Sequence, residues 1–218
     1  MSQEALAPLP RGRHKLSPED VSASQRARLL VAMAACVGEE GYAATTVPRV
    51  VARARVSRNA FYELFDDKAD CFAAMINEHT DELLARLTAL GAAPDWIAAL
   101  RIGVGDYLAW WQRHPDYCRA FFVELPAAGP RALEARNSAF ARFEAMFAAM
   151  AAWARHDDPS LRPLRGREPA LLVYAITELI AQEWRAGRAE QLSELQGEIL
   201  AHAVRMLADD RTAARALG

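Results

Sequence analysis

Apolar residues recur at helical spacing along most of the chain, and no stretch alternates apolar with polar positions for the length of a strand. Leu30, Met33, Ala34 and Val37 fall at i, i+3, i+4 and i+7, which predicts a helix over about 24–40 with Gly41 as its C-cap. Thr45 or Thr46 offers an N-cap hydroxyl to a short helix over 47–54, and Pro48 is tolerated in its first turn. Ser57 caps a third helix through about 64. Asp66 or Asp67 caps a long fourth, from 68 to about 90, closed by Gly91. Beyond Pro94 the spacing predicts helices at about 95–113, 116–124, 131–155, 168–186 and 192–207. The breaks between them are His114-Pro115, residues 126–130 and the Pro- and Gly-containing segment 156–167. The expectation is an all-α chain of about nine helices.

The chain has 218 residues, 52% of them hydrophobic and 25% charged, enough for a buried core in one large domain or two small ones. Uncharged apolar runs such as Leu29–Val37 reach only about half of the ~20 residues that a membrane span needs, so no membrane partner is expected. Three separated cysteines (Cys36, Cys71, Cys118) form no C-x-x-C pair and five histidines show no ligand spacing. No disulfide, metal or cofactor is therefore expected, and a reducing cytoplasm fits. Residues 1–20 contain three prolines and the basic cluster Arg11-Gly12-Arg13-His14-Lys15, which reads as a flexible arm able to touch phosphate or a minor groove.

With a net charge of −2, the chain is not a general nucleic-acid coat, so local charge matters more. Between Glu40 and Glu63 there is no acidic residue, whereas Arg49, Arg53, Arg55 and Arg58 give that stretch a net +4. They lie on or beside two short helices joined by a tight turn. Such a pair suits a helix-turn-helix, in which the second helix enters the major groove and the first crosses the backbone. Ser57, Arg58, Asn59 and Tyr62 would face outward, where Arg can pair bidentately with guanine, Asn with adenine, and hydroxyls with phosphate or base edges. Val56, Ala60, Phe61 and Leu64 would supply packing and close approach. A solvated charged surface is the competing reading.

From Arg26 to about Phe72 the chain resembles the tetracycline-repressor (TetR) family of bacterial transcription regulators. The resemblance rests on Gly41-Tyr42, Ala44-Thr45-Thr46-Val47, Ala54-Arg55-Val56-Ser57, Phe61-Tyr62, Phe65 and Lys68 in register. It implies that Ser57–Leu64 is the recognition helix and that Thr46, Tyr62 and Lys68 contact phosphates. The candidate DNA-contact set is thus Thr45, Thr46, Arg49, Arg55, Ser57, Arg58, Asn59, Ala60, Phe61, Tyr62 and Lys68. Arg55 departs from the family pattern, which commonly has glycine in this turn, and an L-residue there costs on the order of 1 kcal/mol.

The expected division is an arm (1–20), a DNA-binding domain (21–70) and a ligand-binding and dimerisation domain (71–218). One reading head covers one half-site, so a homodimer on a near-palindromic double-stranded operator is expected. Leu172, Ile176, Leu179, Ile180, Leu195, Ile199, Val204 and Leu207 are the candidate interface, paired as a four-helix bundle. The resemblance also implies a small-molecule effector held between the middle helices, with repression as the family default. Candidate contacts are Tyr107, Trp110, Trp111, His114, Phe121, Phe122, Glu124, Phe143, Phe147, Tyr174 and Glu178. No H-E-x-x-H, G-x-S-x-G or phosphate loop occurs, so no enzyme is expected; an all-helical binding protein or enzyme without DNA binding is the alternative.

Overall fold

The computed structural model describes residues 17–88, 93–209 and 212–214, and among them every regular element is helical. In chain order these are α1 (Pro18–Glu40), α2 (Val47–Ala54), α3 (Arg58–Leu64), α4 (Lys68–Thr88), α5 (Trp96–Arg113), α6 (Pro115–Arg119), α7 (Pro130–Asp157), α8 (Glu168–Arg185) and α9 (Gln196–Leu207). A π-helical turn, Ala120–Glu124, and a 3₁₀ turn, Leu125–Ala128, follow α6, and a second 3₁₀ turn, Ala189–Leu195, precedes α9. None of the helices is long and apolar enough to cross a membrane. The basic cluster Arg11–Lys15 and the expected end of α4 at 90–91 lie outside the described residues.

Three boundaries differ from the sequence expectation. α1 begins at Pro18, because Ser17 and Asp20 cap it reciprocally: the Ser17 hydroxyl accepts the Asp20 N–H at 3.1 Å and the Asp20 carboxylate accepts the Ser17 N–H at 3.1 Å. Pro18 at the first helical position needs no partner for its nitrogen, so it starts a helix where a breaker was expected. The single helix expected over 116–124 is instead α6 running into the π turn; Pro126, with no N–H for a carbonyl four residues back, ends regular pairing there. The helix expected from 192 begins as a 3₁₀ turn and becomes α only at Gln196.

The described residues divide into two compact units, one comprising residues up to Glu78 and Asp116–Arg136, the other His79–Pro115 with residues from Asn137 onward. In the first, α1 packs against α2, α3 and the π turn. Leu29, Leu30, Met33, Val37, Val50, Phe61, Phe72 and Met75 are fully buried there, so the apolar stripe of α1 read from the sequence is the spine of this unit. In the second, α5 packs against α9 and its preceding turn, and α8 against both of these. Its core joins Trp96, Leu100, Phe147, Leu172, Leu200, Val204 and Leu207.

The first unit has one very close approach. A Cβ on Gly38 would lie 2.6 Å from the Asp116 Cβ and 2.7 Å from its Cα, so the backbone itself would have to move. Gly38→Ala is expected to destabilise the chain by about 1–3 kcal/mol, the usual range for overpacking. Urea denaturation checks this, and an unchanged midpoint would show that α6 shifts freely.

Candidate nucleic-acid interface and ligand cavity

α2 and α3 form where expected, and their ends show why. Thr46 takes the N-cap position of α2 with extended backbone, but neither threonine caps through its side chain. The Thr45 hydroxyl donates to the Gly41 carbonyl at 2.8 Å and is buried, whereas Thr46 is exposed. At the other end, the Arg55 N–H reaches the Ala52 carbonyl at 3.3 Å and the Val56 N–H reaches Val51 at 3.1 Å. This is a Schellman closure, and it requires left-handed backbone at Arg55, which has φ 54° and ψ 45°. Among the described residues Arg55 is the one non-glycine with positive φ. Ser57 then caps α3, its hydroxyl accepting the Ala60 N–H at 3.0 Å.

Arg55, Ser57, Arg58, Asn59 and Tyr62 are all exposed on the two short helices and their turn, as are Arg53 and Glu63. The Arg58 guanidinium lies 5.8 Å from the centre of the Tyr62 ring, which is 49% exposed. Ala60 and Phe61 point inward, 7% and 0% exposed, so α3 uses them for packing and not for side-chain contact with a base. Thr45 leaves the contact set for the same reason.

The basic patch is also smaller than the sequence count. Arg49 pairs with Glu40 at 2.7 Å and Arg53 with Glu39 at 2.7 Å, across from the end of α1. Arg53 is held protonated beyond its ordinary range by its hydrogen bond to Glu39. Arg55 and Arg58 have no ion pair among the described residues, so the positive field concentrates on the turn and the first residue of α3.

Two further cations brace this head. The Lys68 amine donates to the carbonyls of Tyr42 and Thr45, at 2.8 and 2.9 Å, and lies 4.0 Å from the Tyr42 ring centre. Its half-burial lowers its pKa. An ammonium has three hydrogens, so these two bonds leave one for a phosphate. Arg28, 7% exposed on α1, donates to the carbonyls of Ala54 and Arg55 at 3.2 and 3.3 Å. No spacing or motif singled out Arg28, since an arginine beside an apolar stripe is usually solvated. Glu124, a candidate effector contact, accepts the Tyr42 N–H at 2.9 Å and pairs with Arg119, which itself donates to the Gly38 carbonyl at 2.8 Å.

The second unit contains a cavity of about 470 Å³. α5 contributes Ala99, Leu100, Gly103, Val104 and Tyr107; α7 contributes Phe143, Met146, Phe147, Ala149, Met150 and Trp153. Leu87 and Thr88 of α4, Leu172, Val173 and Ile176 of α8, and Ile199 and Ala203 of α9 complete it. Of the candidate effector contacts only Tyr107, Phe143 and Phe147 line it. Trp110 and Trp111 are buried core, and His114 stacks on Trp110 with ring centres 4.3 Å apart, its pKa lowered by burial. Phe121, Phe122 and Glu124 belong to the first unit. Tyr174 is exposed, edge-on to Phe140 at 4.8 Å, and Glu178 is exposed and paired with Arg185.

The candidate interface residues turn inward as well. Leu172, Ile180, Ile199, Val204 and Leu207 are buried within the chain, Leu172, Ile176 and Ile199 line the cavity, and Ile176, Leu179 and Leu195 are half-buried. The helical period that selected them reports a buried face, and the monomer's own core occupies it. The apolar residues that α8 leaves in solvent are Leu171, 66% exposed, and Tyr174, 49% exposed.

An all-helical chain with a helix-turn-helix near one end and an apolar cavity in a second helical unit has the architecture of a one-component DNA-binding regulator. Residues 29–75 match the family model of the bacterial regulatory proteins, tetR family. Solved structures match across most of the chain. A putative TetR-family transcriptional regulator from Syntrophomonas wolfei has a TM-score of 0.71 and 13% identity, covering 84% of this chain and 95% of that one. The transcriptional regulator FadR from Bacillus subtilis, solved with stearoyl-CoA, has a TM-score of 0.69 and 13% identity over 81% and 96%. SmeT, repressor of the Stenotrophomonas maltophilia multidrug efflux pump SmeDEF, has a TM-score of 0.62 and 18% identity over 86% and 92%. No curated protein matches in sequence. The match to the tetR family model is confined to residues 29–75, and the chain has the fold of the TetR-family regulators it resembles. The matched family is one of regulators and not of enzymes.

Arg55→Gly is expected to stabilise the chain by roughly 0.5–1 kcal/mol: relief of left-handed strain on the order of 1–2 kcal/mol is partly offset by the freer unfolded state of glycine. Arg28→Met keeps the buried stem but deletes the bonds to the Ala54 and Arg55 carbonyls and the one to Ser24, with an expected loss of about 1–3 kcal/mol. Paired urea titrations check both signs, and a stabilised Arg28→Met or a destabilised Arg55→Gly contradicts the assignment.

Proposed function

We propose that the chain is a cytoplasmic transcriptional repressor that binds a near-palindromic double-stranded operator as a homodimer and is released when a small, largely apolar effector fills the cavity. Residues 21–70 read DNA and the remainder senses the effector and dimerises. The observation that carries the reading is the exposed set Arg55, Ser57, Arg58, Asn59 and Tyr62, whose two cations have no acidic partner among the described residues. Arg58 and Asn59 read base edges; Thr46, Arg49, Arg55, Ser57, Tyr62 and the remaining hydrogen of Lys68 position the head on phosphates.

Specific affinity then requires a second head about 34–36 Å away on one face of the duplex, which only a dimer supplies. The exposed Leu171 and Tyr174 of α8, with the half-buried Ile176, Leu179 and Leu195, supply apolar contacts for it. For effector release, the effector must bind one conformation better than the other; about 1.4 kcal/mol of coupling weakens operator binding tenfold. α4 is suited to carry that difference, because Lys68 braces the head at its start and Leu87 and Thr88 line the cavity at its end.

Selection of bound duplexes from a random pool tests the whole reading and should return a two-fold symmetric site whose affinity falls with salt. On that site Arg58→Ala should lose about 1–3 kcal/mol and relax one base position per half, with little change on scrambled duplex. A pool with no enriched sequence would leave a helical ligand-binding protein without DNA binding as the better account.

A further inference from the structure

We infer that the molecule held in the cavity is uncharged and mostly hydrocarbon, and that the walls reject the carboxylate and the ammonium of an otherwise matching ligand. This rests on the proposal that the cavity is a ligand site. No Asp, Glu, Lys, Arg or His stands among its described lining residues. An ionised group inside would lose its water and find no counter-charge, the least favourable condition for burial.

Two of the cations next to lining residues are already paired with carboxylates. Arg86, next to the lining residue Leu87, bonds to Asp106 at 2.8 Å, and Arg142, next to Phe143, is paired with Asp81. The polar capacity that remains is small. The Thr88 hydroxyl donates to the Leu84 and Ala85 carbonyls of its own helix, at 2.9 and 3.1 Å, and so offers a ligand a lone pair. Tyr107 is packed edge-on against Trp111 and Phe143, with ring centres 6.1 and 5.8 Å away.

The volume and composition narrow the class further. About 470 Å³ is the space of roughly fifteen liquid waters, within the range that drug-sized ligands fill. Phe143, Phe147 and Trp153 with Met146 and Met150 give a soft, polarisable wall on one helix, favourable to rings and to flexible chains alike. Gly103 on α5 lines the opposite side without a side chain, which makes it the place to close the cavity.

The test uses the full chain and the neutral fluorescent probe N-phenyl-1-naphthylamine, with competition by 1-decanol, decanoate and decyltrimethylammonium at pH 8. The probe should bind, decanol should displace it, and the two ions should compete at least thirtyfold more weakly. Gly103→Leu should abolish probe binding while keeping the helical circular dichroism and an equal or higher Tm. Ala203→Met serves as a second closing variant if that one does not fold. Decanoate within threefold of decanol, a probe that does not bind, or unchanged binding in both folded closing variants would each overturn the inference. Operator binding is read separately: selective neutral binding with no operator response would sink the effector role and leave the cavity chemistry standing.

Discussion

The reading head depends on two side-chain cations that hold carbonyls at chain turns. A loop buried against helices must satisfy its backbone polar groups without the ladder that a helix supplies. Between α1 and α2 the Lys68 amine does this for Tyr42 and Thr45, and between α2 and α3 the Arg28 guanidinium does it for Ala54 and Arg55. Each cation comes from a long helix, α4 or α1, and each pins a corner of the short pair. The short helices, eight and seven residues long, are below the length that is stable alone, so their orientation comes from these tethers and from Phe61 and Val50 in the core.

That arrangement also decides where positive charge is left over. Glu39 and Glu40 at the end of α1 neutralise Arg53 and Arg49, and Arg28 and Lys68 face inward toward carbonyls. The cations that remain without an acid among the described residues, Arg55 and Arg58, flank the N-terminus of α3, where N–H groups lacking helical partners add to the field. Arg55 accepts left-handed backbone to stand there. Glycine would suit the turn better and would remove one of the two cations, so strain and local charge are traded at a single position.

The bounds of α2 and α3 were legible in the sequence, since the turn at Arg55 and the Ser57 cap are local chemistry, whereas the hydroxyl cap expected from Thr45 or Thr46 does not form. Depth was less legible. Thr45, Ala60 and Phe61 share short helices or loops with exposed residues, and a seven-residue helix has too few positions for periodicity to separate its faces. The second unit shows the same limit on a larger scale. Along α8, residues 171, 172, 174 and 176 are all apolar, and the spacing identifies a buried stripe without saying whether the chain or a partner buries it. Only three of eleven proposed effector contacts line the cavity, because an aromatic residue at helical spacing is core by default and a cavity depends on what the facing helices lack. Gly103, Ala149 and Ala203 are as much its cause as Phe143 is, and small residues carry no signal of what lies opposite them.

The cavity opens to solvent and is not an enclosed void. At about 24 cal/mol per Å³, an empty apolar void of 470 Å³ would cost about 11 kcal/mol, comparable with the entire stability of a typical domain. A chain could not retain it dry and closed. Thr88 and Trp153, both exposed, mark where it meets solvent, so water can enter and reduce the cost, but water finds few polar partners along these walls. An apolar occupant removes that poorly bonded water and restores the packing contacts at once. The same walls that make the unoccupied state unfavourable are what would let a neutral hydrocarbon ligand shift the chain's conformational balance.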